Sequence, residues 1–213
     1  MDFNEIISNV KIYGLYESMV ASGYPMLINP YTSKDFCEQI DEIDSVDLIG
    51  ETTVENNNTK RAVNLASTNI GEGHDNFLNG VIVQFDLKYT VKAWTEAERY
   101  HFLEFVSSMS SMHRLTKMDY DKVFCSYVTE NIKNEMKRLL AEYNNNPCED
   151  TRLTLLYNCP VGLQLTARMT TNYRQLKTIY RQRKNHALPE WKAFCKWIET
   201  LPWSELIIAN TNK

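Results

Sequence analysis

The 213-residue sequence predicts an α+β fold, a single domain over residues 1–213 with a central antiparallel or mixed sheet packed by helices. Three observations carry that expectation. Val81 to Val91 alternates Val81, Val83, Phe85 and Leu87 with Gln84, Asp86 and Lys88, the period of a half-buried strand. Asp119 to Tyr143 sets Phe124, Val128, Ile132, Met136, Leu139 and Tyr143 at helical steps, as Thr171 to Lys184 does for Asn172, Leu176, Ile179 and Arg183. A hydrophobic fraction of 43% beside 23% charged residues is enough apolar material for a sizeable core.

Taken in order, Val10 to Tyr13 reads as a short strand and Leu15 to Ser22 as a helix, stopped by the Gly23-Tyr24-Pro25 turn. Ser33 offers an N-cap for an acidic helix to about Ile43. The polar runs Glu55 to Thr59 and Asn144 to Pro147 read as surface loops. Ala93 to Val106 contains no Gly or Pro and puts Trp94, Ala97, His101 and Phe105 near one face, which predicts an unbroken helix. Leu153 to Leu165 reads as a strand. Pro189, at a first helical turn, opens a further helix that buries Trp191, Phe194, Trp197, Ile198 and Leu201.

Several function classes drop out. No window approaches the roughly 18 uncharged apolar residues of a membrane span, so no membrane partner is expected. The acidic start Met1-Asp2-Phe3-Asn4-Glu5 lacks a signal peptide's basic segment, and the expected address is cytoplasmic. Five cysteines without a CxxC pair read as reduced thiols, Cys125 and Cys195 on apolar stripes and Cys159 alone in a context open to reactivity. His74, His101, His113 and His186 show no HExxH or HxH spacing, and no metal is expected. The seven glycines form neither GxxxxGK[ST] nor GxGxxG, so any nucleotide is to be held by side chains.

Charge is unevenly placed around a net of -4. Asp35 to Glu55 carries eight acids (Asp47, Glu51 and Glu55 among them) and no base, whereas Arg168 to Lys196 carries eight bases and only Glu190. That basic stretch predicts an anionic ligand, against the alternative of a solvated helix surface. Arg183 shares a helical stripe with Leu176 and Ile179, which points its guanidinium inward, able to meet a carboxylate, a phosphate or a pyrimidine edge with paired donors. Ser107, Ser108, Ser110, Ser111, His113 and Arg114 form a second donor-rich segment, suited to a phosphorylated ligand or simply to a connecting loop.

In order along the chain, GHDNFLN at 73–79, RYH at 99–101 followed by SSMSSMHR at 107–114, and NYRQLKTIYRQRKNHALPEW at 172–191 resemble the motifs of the flavin-dependent thymidylate synthases. That family carries GH-x-x-P-F-E-H before a strand, an R-H-R triplet followed by a serine- and arginine-containing loop, and a late N-x-R-S-L…R…H-A-Q-x-E helix. The resemblance covers about residues 71 to 200 and implies a flavin-dependent thymidylate synthase-like fold. It implies the methylation of dUMP to dTMP with FAD, NADPH and 5,10-methylenetetrahydrofolate, in a homotetramer whose sites lie between subunits. His74, Arg99, His101, Asn172, Arg174 and Thr178 would lie at the flavin. Ser110, Ser111, Arg114 and Arg183 would bind the substrate, Arg114 at its phosphate and Arg183 at the pyrimidine, which it polarises as the catalytic residue. The pattern departs at Tyr100 and His101 in the triplet, at Asn79, at Ser110 near the place of a loop glutamate, and at Thr178. Two further readings go with these departures: a related pyrimidine-nucleotide modification such as hydroxymethylation, or a non-catalytic nucleotide- or nucleic-acid-binding protein on the same fold.

Overall fold

In the computed structural model, which describes residues 1–48, 56–69 and 71–209, four strands form one antiparallel sheet. They are β1 (Ile7–Tyr13), β2 (Ile82–Thr90), β3 (Glu104–Ser108) and β4 (Gln164–Asn172), ordered β1-β2-β4-β3. The alternation of β2 works as its sequence dictates: Val83, Phe85, Leu87 and Tyr89 are fully buried while Gln84, Asp86 and Lys88 keep partial exposure. Its register with β4 sets Phe85 opposite Met169 and Leu87 opposite Ala167, which extends the buried face across two strands. The α+β expectation holds, with every pairing antiparallel.

Among the described residues ten α-helices accompany the sheet: α1 (Leu15–Ala21), α2 (Ser33–Leu48), α3 (Asn57–Ala66), α4 (Val91–Ala97), α5 (Ser111–Arg114), α6 (Glu130–Asn145), α7 (Glu149–Tyr157), α8 (Tyr173–Arg183), α9 (Pro189–Ile198) and α10 (Glu205–Ile208). Helix α9 meets the buried sheet face through aromatic rings, Phe85 lying 4.7 Å from Trp197 and Tyr89 5.4 Å from Trp191 between centroids. As expected, Trp191, Phe194, Trp197, Ile198 and Leu201 are all buried. A second, smaller core collects Leu115, Tyr120, Phe124, Val128, Met136, Leu139, Leu155 and Leu163 under α6 and α7. Gly162 lets that layer close, because a Cβ there would sit 2.4 Å from a Val128 methyl.

Long-range pairing overrides local propensity in several places. The helix expected from Ala93 to Val106 stops at Ala97. Two turns, Tyr100 N–H to Ala97 O and Leu103 N–H to Tyr100 O, then redirect the chain into β3, which pairs with β4. Asp119 to Thr129 is not helical. Phe124 bridges Leu163 and the Cys125 N–H donates to Gly162 O, so the same apolar residues reach the core through an extended segment. Leu153 to Tyr157 belongs to α7, and the strand expected there begins at Gln164.

Two boundaries also differ. Thr32, not Ser33, caps α2, its hydroxyl accepting from the Asp35 N–H while the Asp35 carboxylate accepts from the Thr32 N–H. Asn56 caps α3, so Asn57 to Thr59 are helical rather than loop. Glu51 and Glu55 of the acidic stretch lie outside the described residues.

Candidate functional site

Helix α8 begins where β4 ends. Asn172 occupies the turn, its side-chain oxygen accepting from the Gln175 N–H at 2.8 Å. One helical turn in, Lys177 is almost entirely buried, its side chain 4% exposed, with Nζ 2.8 Å from Oδ2 of the fully buried Asp75. Lys177 also donates to the carbonyls of Ala66 and Thr68. Arg174 reaches the other Asp75 oxygen through Nε at 3.2 Å. Asp75, inside the GHDNFLN run, thus ties the 66–75 segment to α8. Thr178 turns its hydroxyl back on the Arg174 carbonyl.

At the other end of α8, Arg183 points inward as its stripe predicts, its side chain 12% exposed. Its Nη1 lies 3.0 Å from Glu96 Oε2, and Nε donates to the Tyr100 hydroxyl at 2.6 Å. The guanidinium also stacks over the Trp191 ring, 4.9 Å from its centroid. Glu96 accepts in addition from Trp191 Nε1, Lys92 Nζ and His186 Nε2. Burial alone would raise the Glu96 pKa, but the Lys92 hydrogen bond and the charges of His186, Lys92 and Arg183 outweigh it and hold the carboxyl below its usual range. Burial pushes the Tyr100 phenol up, opposed by Arg183. The altered triplet residue Tyr100 is therefore built into the setting of the candidate catalytic arginine.

A different arrangement follows β3. Ser108, Met109, Ser110, His113, Arg114, Lys117 and Met118 line an open hollow of about 460 Å³, with no carboxylate in its lining among the described residues. The Ser110 hydroxyl and His113 Nδ1 are 2.9 Å apart. Among the described residues, neither Arg114 nor Lys117 has an ion-pair partner. The two acids that follow in sequence are already committed, Asp119 to Lys122 and Asp121 to Lys137. A surface of hydroxyl, imidazole, guanidinium and ammonium groups without an acid is suited to an oxyanion.

The expected site residues therefore fall into separate groups. Ser110 and Arg114 come together in the hollow, with the half-buried Ser111 beginning α5 beside them. Arg183 sits apart in the Glu96 network. Asn172 borders a smaller hollow of about 160 Å³ with Phe102, Glu104 and Thr170. His74, Arg99 and His101 are exposed. Motif reading missed Asp75, Glu96 and Lys117. The first two left no signal because their partners lie 87 to 102 residues later, whereas Lys117 stood three residues beyond the segment already singled out.

Of the eight bases from Arg168 to Lys196, four are engaged within the fold, which reduces the charge available to an anionic ligand. Arg168, Arg174, Lys177 and Arg183 pair with Asp86, Asp75 and Glu96 of the same chain. Cys159, the thiol left open to reactivity, is half-buried and pushed up to about 11 by burial, and Cys195 likewise to about 12. Among the described residues no group of three or more His, Cys, Asp or Glu could hold a metal, and no helix is long and apolar enough to cross a membrane.

Solved structures supply a match to this architecture. The chain superposes on flavin-dependent thymidylate synthase ThyX from Helicobacter pylori complexed with FAD and dUMP, with a TM-score of 0.61 and 15% identity over 95% of this chain and 98% of that one. A second structure of the Helicobacter pylori enzyme with FAD and dUMP gives a TM-score of 0.64 and 14% identity, covering 96% of each chain. The chain shares the ThyX fold. No family model matches the sequence, and no curated protein matches it.

Proposed function

We propose that this chain is a pyrimidine-nucleotide enzyme of the ThyX-like fold that methylates dUMP to dTMP. The acid-free hollow at Ser110 and Arg114 carries the reading, since it offers a phosphate its donors at the segment where the motifs place them. Ser110, Ser111 and Arg114 bind the phosphate. Arg183 polarises the pyrimidine: Glu96, Tyr100 and Trp191 fix its guanidinium, and Nη2 is the one nitrogen without a partner among the described residues. A donor held rigid in a poorly solvated setting stabilises developing negative charge without reorganising, and no protein nucleophile is needed.

The donor set fits FAD. His74, Arg99 and His101 are exposed, and Arg174, one-third exposed, uses only Nε of its guanidinium among the described residues. These cationic and N–H groups, with Asn172 and Thr178 beside them, suit a diphosphate-bearing dinucleotide. When bound, FAD would supply reducing electrons to the one-carbon unit of 5,10-methylenetetrahydrofolate, with NADPH as their source. Within one protomer the residues face outward, and the 160 Å³ hollow at Asn172 falls below the roughly 300–1,000 Å³ of ordinary ligand pockets. Other copies of the chain complete the enclosure in a homotetramer, a reading supported by the exposed Phe102, Phe105, Val106, Met109 and Met112 along and after the edge strand β3.

A second reading, nucleotide binding without catalysis, is favoured by one observation. Glu96 and Asp75 already satisfy much of Arg183 and Arg174, so both arginines have a structural use. A visible spectrum separates the readings, because bound oxidised flavin absorbs at about 450 nm. Catalysis predicts a yellow protein, or one that takes up added FAD, and conversion of dUMP to dTMP when FAD, NADPH and 5,10-methylenetetrahydrofolate are supplied. A protein that binds dUMP but takes up no FAD supports the second reading. A product heavier than dTMP by one oxygen identifies hydroxymethylation.

A further inference from the structure

We infer that Lys117 is a specificity-determining residue of the hollow after β3, and that with Arg114 it selects a phosphate monoester over a diester; this rests on the nucleotide reading of the same site. Three observations lead there. Lys117 and Arg114 line one hollow of about 460 Å³, and no carboxylate among the described residues lines it. Neither base has an ion-pair partner among the described residues, although Asp119 and Asp121 follow within four residues. Those two acids are taken by Lys122 and Lys137, so the fold keeps both counter-ions away from the hollow.

The charge balance then names the ligand class. A phosphate monoester carries about -1.5 to -2 near neutral pH, its second ionisation lying near 6. A diester, as in a nucleic-acid strand, carries one negative charge per phosphate. Two cations match the monoester and exceed the diester. Arg114 supplies planar, paired donors and Lys117 a compact point charge, so the two approach different phosphate oxygens without duplicating each other. Ser110, held against His113 Nδ1 at 2.9 Å, adds a hydroxyl of fixed position.

Calorimetric titration of the full-length protein with dUMP, the 5′-methyl ester of dUMP, deoxyuridine and inorganic phosphate tests the inference. The wild-type protein is expected to prefer dUMP over its methyl ester by about tenfold or more. In Lys117→Gln that preference falls to about twofold, deoxyuridine binding is unchanged, and Lys117→Arg restores most of the preference. A Lys117→Gln protein that keeps the full preference overturns the role of Lys117 while leaving the nucleotide reading intact. A wild-type protein that binds inorganic phosphate but discriminates none of the nucleosides overturns the nucleotide reading and leaves the two-cation site standing. Wild-type binding of neither dUMP nor phosphate overturns both. Because Lys117 is exposed and unpaired among the described residues, an unchanged circular dichroism spectrum is the expected control for folding.

Discussion

Helix α8 and the segment from Ser108 to Met118 are both rich in bases, and the fold treats them in opposite ways. Along α8, Arg174, Lys177 and Arg183 are met by Asp75 and Glu96, carboxylates that the sheet and its connections bring from far earlier in the chain. After β3, Arg114 and Lys117 have no carboxylate partner among the described residues, and the acids that follow them are drawn off by other lysines. A tally of charges along the sequence ranks α8 as the anion site. Pairing in three dimensions spends three of the four bases of α8, all but Arg181, and leaves both bases of the other segment unspent among the described residues. The lesson is that a local excess of bases identifies a ligand only after the carboxylates that reach it through the fold have been subtracted.

The largest effect that bears on this contrast is expected at Asp75. Asp75→Asn removes the charge opposite Lys177 in a site where both side chains are buried, leaving an ammonium with carbonyl partners only. Breaking a buried pair from one side costs about 3–5 kcal/mol. Urea unfolding is expected to show a loss of that size, and the double variant Asp75→Asn/Lys177→Met should recover part of it. A loss below about 0.5 kcal/mol, the range of an ordinary surface substitution, would show that the α8 bases are as little paired as those of the hollow.

Glu96 sharpens the comparison through pH. Its folded pKa lies below the ordinary value of 4.5, despite burial, because Lys92, His186 and Arg183 favour the charged form. The sign follows from linkage: a depressed carboxyl contributes stability fully above its unfolded pKa and loses it as pH falls through the folded value. The wild-type protein should therefore be more stable than Glu96→Gln at pH 7, by about 2 kcal/mol if one buried partner is lost to Arg183. The gap should narrow as pH drops below 4.5 and the Glu96 carboxyl protonates. Equal pH dependence in both proteins would remove Glu96 as the carboxylate that anchors this end of α8.

How much of this was legible in the sequence depends on how local each interaction is. The period-two pattern of β2 and the apolar stripe of α9 could be read directly, because burial on one face leaves its period in the residues themselves. The stretch from Ala93 to Val106 misled, since Phe105 and Val106 fit either a helix or an edge strand. Only pairing with β4, some sixty residues later, decides between them. Phe124 and Val128 fit a helical spacing yet enter the second core from an extended segment stitched to Gly162 and Leu163. The inward aim of Arg183 was correct from periodicity alone, whereas its partner Glu96 was hidden because no local pattern links residues 96 and 183.

The smallest effect carries the other half of the contrast. Arg114→Gln and Lys117→Gln remove charges that are exposed and unpaired among the described residues, so each is expected to change unfolding stability by no more than about 0.5 kcal/mol. If either charge is repelled by its neighbour in the hollow, the shift should be slightly stabilising. The repulsion is between solvent-exposed groups, so raising the salt concentration should erase it. The same change in salt should leave the Asp75 and Lys177 pair nearly untouched, because ions do not reach a buried contact. A stability that stays flat when these bases are removed, while phosphate binding is lost, is what separates charge kept for a ligand from charge used to hold the fold.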